Sequence, residues 1–271
     1  MSAQIAAEPT SPIEVAISEG IARVTLADPT RRNALSLAMI AALSQAVAEL
    51  SADPGVRVVI VAARGPAFSA GHDLKELTAA RANGDRGRAV FEETMTACAA
   101  LMTAIVRSPK PIIAEVAGVA TAAGCQLVAS CDLAVASEKA TFATPGVHIG
   151  LFCSTPMVAL SRNLARKHAM EMLLTGASVP AVEAARMGLV NRVVAPEALT
   201  AETEALARTI AAKSPLTLKI GKEAFYAQAE MGLDEAYRLT AQVMVDNMLA
   251  RDAEEGISAF IEKRHPVWEG R

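Results

Sequence analysis

Two stretches of small residues hold the groups best suited to chemistry. They are residues 65–77 (Gly-Pro-Ala-Phe-Ser-Ala-Gly-His-Asp-Leu-Lys-Glu-Leu) and 118–132 (Gly-Val-Ala-Thr-Ala-Ala-Gly-Cys-Gln-Leu-Val-Ala-Ser-Cys-Asp). Each follows an apolar, strand-like run and turns into the start of a helix. Small side chains let a ligand approach the backbone, and a helix start leaves amide N–H groups without internal partners. Two such turns facing one another can hold a single developing oxyanion between them. The sequence shows no Walker loop, dinucleotide fingerprint or metal-ligand spacing that would point to other chemistry.

The flanking pattern supplies the elements that must position these turns. Residues 13–18 and 21–27 alternate as a β-hairpin about Glu19-Gly20, and Ser36 is placed to cap an Ala/Leu-rich helix ending near Ala52. The apolar, mostly β-branched run Val58–Ala63 predicts a buried strand leading into the first turn. Residues 111–116 do the same for the second turn. A short helix is expected from residue 75, a long one over Arg88–Arg107 stopped by Ser108-Pro109, another over Ala123–Ser130, and a strand over 133–136. After Pro145 the pattern becomes helical, over 155–163, 166–175, 182–187, 196–213, 215–229, 233–250 and 252–263. Parallel strands joined by helices need spacing of this kind, so the expected class is α/β.

Composition narrows the functional classes. The chain has 271 residues, a net charge of −3 and 3% aromatic residues. A nucleic-acid surface would need clustered basic charge and stacking side chains, and neither is present. The apolar stretch 94–106 is too short and too rich in threonine to predict a membrane span. Residues 1–12 show no basic region followed by an apolar one, which predicts a cytoplasmic protein. Cys98, Cys125, Cys131 and Cys153 lack paired spacing and read as reduced core residues.

The two turns, in this order, resemble those of the crotonase superfamily, also called the enoyl-CoA hydratase/isomerase family. The resemblance runs from about residue 13 to residue 268. It includes Arg32-Asn-Ala-Leu35, Thr144-Pro145, Leu174-Thr-Gly176, Ala184-Ala-Arg-Met-Gly-Leu-Val190 and Phe260-Ile-Glu-Lys-Arg-His-Pro-Val-Trp268. It implies a crotonase-like spiral of ββα units over residues 1–195. It also implies a C-terminal helical region over 196–271 that builds homotrimers, often paired into homohexamers. The ligand would be an acyl-CoA thioester, with no tightly bound cofactor, and the activity that of a lyase or isomerase of fatty-acid metabolism.

Carried over position by position, the oxyanion donors fall on the backbone N–H groups of His72 and Ala123. The family's hydratases place one glutamate directly after the Gly-Cys of the second turn and another directly after the following proline. Those positions here are Gln126 and Gly146. An amide can orient water but cannot take its proton near neutral pH. Binding and enolate stabilisation are therefore better supported than proton transfer. His148 and the His72 ring have side chains suited to acid–base work. The resemblance assigns the CoA moiety to Arg31 or Arg32, to Ala70, Asp73, Leu74 and Lys75 of the first turn, and to Phe260 and Lys263. Glu115 reads as an acid at an exposed strand end, and Asp132 as a structural acceptor. An enzyme with non-standard proton donors and a catalytically silent acyl-CoA binder both remain open, with a ligand-free scaffold as the third class.

Overall fold

A computed structural model describes residues 11–271, so most of the N-terminal segment used for the cytoplasmic expectation lies outside the described residues. Strands β1 (Ile13–Ser18) and β2 (Ile21–Leu26) pair antiparallel through Glu19 and Gly20, at φ +50° and +76°. Two successive positive φ values match the twist a two-residue hairpin needs. Helix α1 (Leu37–Ala52) follows, and the Ser36 side chain accepts the Met39 N–H as anticipated.

Three strand pairs then repeat. β3 (Val58–Ala63) is followed by β4 (Ala67–Ser69), and helices α2 (Leu74–Ala80) and α3 (Arg88–Arg107) come next. β5 (Ile112–Val116) and β6 (Val119–Thr121) lead into α4 (Ala123–Ser130). β7 (Leu133–Ser137) and β8 (Thr141–Ala143) lead through a 3-10 turn, Pro145–Ile149, to α5 (Pro156–Asn163). The first strand of each pair enters one sheet and the second enters another. The six-stranded sheet runs β1-β2-β3-β5-β7-β10 and the smaller one β4-β6-β8-β9, with β9 at Val179–Pro180 and β10 at Arg192–Val194. β3, β5 and β7 are parallel neighbours, as are β4, β6 and β8. The chain is thus a spiral of ββα units, in which each turn advances both sheets by one strand.

The continuous apolar run of β3 is explained by burial on both faces. Val59 and Val61 point into the main core with α1, α3 and α4, whereas Val58 and Ile60 pack with Leu199 and Ala207 of α8 (Leu199–Ala211). Among the described residues, α3 is the one helix long and apolar enough to cross a bilayer. It lies against α1 and buries Cys98, Leu101, Met102 and Ile105 in the core. All four cysteines are free and buried.

The other helices are α6 (Arg166–Thr175), α7 (Ala181–Met187), α9 (Pro215–Gln228), α10 (Leu233–Met248) and α11 (Arg251–Glu262). α9 is fixed to the spiral by Lys222, whose ammonium donates to Asp132 at 2.7 Å and to the carbonyls of Lys110 and Ile105 at 2.9 and 3.1 Å. Tyr226 adds a 2.9 Å hydrogen bond to the same carboxylate, so Asp132 is an acceptor that joins two parts of the chain. α9 and α10 contain no buried residue, and Leu233, Tyr237, Met244 and Leu249 stand exposed.

Glu115 corrects the exposed-end expectation. It is buried in β5 and receives both Arg23 guanidinium nitrogens at 2.9 and 3.0 Å, with the Thr200 hydroxyl at 3.1 Å. A cation on β2 and a hydroxyl on α8 meet the acid inside the sheet–helix layer, which satisfies a charge that could not otherwise be buried.

Candidate oxyanion site

The two small-residue turns are in contact. Gly71 has φ +83°, and a methyl added to it would stand 2.9 Å from the Ala122 Cβ and 3.2 Å from the Ala123 nitrogen. Gly124 lies equally close to the other turn, with a methyl there only 2.3 Å from the Ser69 carbonyl oxygen. Both glycines are therefore required by backbone approach, and Gly71 also by its left-handed conformation. Their packing places His72, which follows Gly71, beside Ala123, which opens α4. Among the described residues, neither the His72 nor the Ala123 backbone N–H has an internal acceptor.

The junction is held under strain. Ala122 sits at φ +50°, ψ −119°, a conformation that side chains rarely adopt. Its N–H donates to the Ala143 carbonyl of β8 at 2.9 Å, and its carbonyl accepts the Gln126 N–H at 3.0 Å. Such strain persists where surrounding contacts over-determine it, and it concentrates at functional turns. Nothing in the alanine itself signals this geometry in sequence.

The first turn is anchored from the loop ahead of α1. Asn33 is fully buried. Its Nδ2 donates to the carbonyls of Arg64 and Ala67 at 2.9 and 2.8 Å, and its Oδ1 accepts the Asp28 N–H at 2.9 Å. Sequence reasoning assigned Asn33 no positioning role. The signal was available, because a short amide that tolerates left-handed backbone (φ +51°) suits a buried loop tie. Arg32 is exposed, and its carbonyl accepts the Ala70 N–H at 3.0 Å, which commits that amide to the protein. Arg31 pairs with Asp28 at 2.8 Å and Asp73 at 3.4 Å. Asp73 caps α2 by accepting the Lys75 and Glu76 N–H groups, while Leu74 and Lys75 face outward.

The side chains that could move protons are placed unevenly. Gln126 is buried in the first turn of α4, and its Oε1 has no hydrogen-bond partner. Gly146 is buried, and a Cβ there would lie 2.8 Å from the Leu151 carbonyl oxygen and 3.0 Å from the Cys153 Sγ. The His72 ring approaches the Leu35 carbonyl through Nδ1 at 3.2 Å, and burial holds its pKa below the usual value. A carbonyl only accepts, so Nδ1 carries the proton and the buried Nε2, which has no partner, is an acceptor. His148 is committed elsewhere: its Nε2 lies 2.9 Å from the Thr175 carbonyl that ends α6, and its ring covers Gly176. That contact occupies one ring nitrogen of an exposed side chain. Cys125, next to Gln126, is an inert thiol pushed up to about 12 by burial. Phe260 and Lys263 lie at the end of α11, whose neighbours are α9 and α10. Phe260 is 85% exposed and Lys263 forms the left-handed cap.

Comparison with known proteins identifies the family. The model of the enoyl-CoA hydratase/isomerase family matches residues 16–271. Enoyl-CoA hydratase domain-containing protein 3, mitochondrial, from Rattus norvegicus is 50% identical over 250 residues, covering 92% of this chain and 82% of the relative. A crystal structure of enoyl-CoA hydratase from Mycobacterium smegmatis is 50% identical, with a TM-score of 0.91 over 96% of this chain and 99% of that one. The human enoyl Coenzyme A hydratase domain-containing protein 3 structure is 48% identical, with a TM-score of 0.90 over 95% and 100%. The vertebrate relatives at this level of identity carry the word mitochondrial in their names, which overturns the cytoplasmic expectation. With the spiral of ββα units, the paired turns and these matches together, the chain belongs to the enoyl-CoA hydratase/isomerase, or crotonase, family.

Proposed function

We propose that the protein binds an acyl-CoA thioester with its carbonyl oxygen between the His72 and Ala123 N–H groups, and stabilises the enolate that forms there. The observation that carries this reading is the contact of Gly71 with Ala122 and Ala123, which sets two amides without internal acceptors side by side. Ala123 is also the first residue of α4, where the helix dipole favours negative charge. Each donor of this type is worth about 10²–10³ in rate. Arg32 and Lys75 near the first turn, and Phe260 and Lys263 on α11, would meet the nucleotide end of the ligand. The exposed apolar faces of α9 and α10 would be covered by other copies in a trimer or hexamer.

Proton transfer is the weak part of the site. Gln126 and Gly146 stand where the family's hydratases carry glutamates, and losing a general acid or base costs roughly 10²–10⁴ each. An enolate reaction other than standard hydration fits these residues best. A second reading, an acyl-CoA-binding or regulatory protein without turnover, is favoured by the close packing at Gly146, where even an added Cβ would lie 2.8 Å from the Leu151 carbonyl oxygen.

Deuterium exchange into the α-position of butyryl-CoA, followed by NMR alongside calorimetric binding, tests both. Exchange with binding supports enolate formation, and binding without exchange supports the silent binder. No binding of any CoA thioester refutes the assignment.

A further inference from the structure

The helix that carries Phe260, α11, has little hold of its own. It buries two of its 12 residues, Asp252 and Ala259, and a helix this short is marginal in isolation. Its place is set by residues 264–271, which fold back along it. Lys263 ends the helix in the left-handed conformation at φ +57°. The Arg264 guanidinium then meets Glu255 at 2.6 and 2.9 Å, and the Val267 N–H donates to the same carboxylate at 2.8 Å. The Trp268 ring lies over Gly256, where an added Cβ would stand 3.1 Å from it. Its Nε1 donates at 2.9 Å to the carbonyl of Ala212, the residue that caps α8.

This strap closes on Asp252, which is 1% exposed. The carboxylate accepts the Glu269 and Gly270 N–H groups at 2.7 and 3.1 Å and the Ser214 hydroxyl at 2.5 Å. The Asp252 N–H donates in return to the Arg271 carbonyl at 2.9 Å. Ser214 also caps α9, by accepting the Thr217 N–H. One buried carboxylate thus joins α9, α11 and the strap, and Trp268 adds α8, which packs on β3. Bonds of backbone N–H groups to a carboxylate are among the strong ones, so the closure is firm. Asp252 lies eight residues before Phe260, about 12 Å along the helix axis, and acts on that end only through α11.

Resting on the acyl-CoA reading above, we propose that Asp252 and Trp268 are positioning residues for nucleotide recognition. They hold the strap closed along α11, and the closed strap fixes where Phe260 and Lys263 meet the nucleotide end of the ligand. The thioester end, held at the two small-residue turns, does not depend on them.

Titration of the native protein, Asp252→Asn and Trp268→Phe with butyryl-CoA and with butyryl-pantetheine, the same thioester without the nucleotide, tests this. The native protein should bind butyryl-CoA the more tightly. Asp252→Asn should weaken butyryl-CoA about tenfold, the worth of one charge-assisted contact, and leave butyryl-pantetheine within about twofold. Trp268→Phe keeps a ring over Gly256 and loses the Nε1 bond, so it should move the same ratio by less. Hydrogen exchange on the native protein reads the coupling even where a variant fails to fold. Butyryl-CoA should slow exchange across residues 252–271 together, and butyryl-pantetheine should not. Equal weakening of both thioesters in Asp252→Asn overturns the proposal, because it marks a general structural role. Equal native affinity for the two thioesters overturns it as well, as does exchange over 252–271 that butyryl-CoA leaves unchanged. Failure of the native protein to bind either thioester overturns the functional reading beneath it.

Discussion

Gly71 and Ala122 meet across two separate turns, and the spacing leaves no room for a methyl on the glycine. Gly71→Ala would collide with the Ala122 Cβ and force a β-carbon into φ +83°. We expect a loss of about 1–3 kcal/mol of stability, the usual cost of an unfavourable backbone region. Because relief requires the turns to separate, acyl-CoA binding should weaken more than stability alone predicts. Urea unfolding and calorimetry on the same preparation separate the two effects. Native-like thioester affinity in the folded variant would show that the turns need not touch.

Placing carboxylates at the two positions that the resemblance assigns to glutamates is expected to succeed at one and fail at the other. Gln126→Glu keeps the side-chain shape and should fold, with the new carboxyl raised in pKa by burial. Gly146→Glu starts from a Cβ 2.8 Å from a backbone oxygen, which no side-chain rotation relieves. Overpacking of this kind costs about 1–3 kcal/mol. The double variant should therefore melt lower than Gln126→Glu alone and gain no crotonyl-CoA hydration. Equal melting temperatures for the single and double variants would contradict the packing argument.

The buried Arg23–Glu115 pair is expected to behave as a structural tie rather than a catalytic acid. Removing one partner of a buried pair costs about 3–5 kcal/mol. Arg23 is 24% exposed, so the lower end applies to Glu115→Gln. The double change Arg23→Met, Glu115→Leu should recover much of that loss, because it leaves no buried charge unpaired: Glu204, which also meets Arg23 at 3.3 Å, has an exposed side chain and keeps Arg208 at 3.5 Å. Chemical denaturation of the three variants reads this out. Thioester binding should follow stability and nothing else.

The elements that were legible in sequence are those long enough to show a period. Helices Arg88–Arg107 and Ala123–Ser130 and strand Val58–Ala63 have the bounds expected from apolar pattern and from Pro109. The three-residue strands β4, β6 and β8 escaped, because alternation cannot be detected over so few positions. The small-residue turns were also visible, since glycine and alanine runs after apolar strands are local features. What joins them is not local. Glu115 looked misplaced because its partner Arg23 is 92 residues away in sequence. The commitment of His148 to Thr175 likewise depends on how α6 returns over the 3-10 turn. The unpartnered Oε1 of Gln126 became apparent only once its surroundings were in place.

The His72 ring gives the site a pH dependence whose direction follows from burial. Its ordinary pKa is 6.5, and desolvation lowers it in the folded protein despite the Leu35 carbonyl and the nearby Glu76, which oppose the shift. Below pH 6.5 the unfolded chain therefore binds a proton that the folded chain resists. Stability from this group is fully present above pH 6.5 and is lost as pH falls through the window between 6.5 and the depressed folded value. The slope there cannot exceed about 1.4 kcal/mol per pH unit for a single proton. In His72→Gln, which keeps the backbone N–H, the stability slope should flatten. Urea unfolding from pH 5 to pH 8 on both proteins measures the difference, and parallel curves would show that the ring does not resist protonation in the folded state.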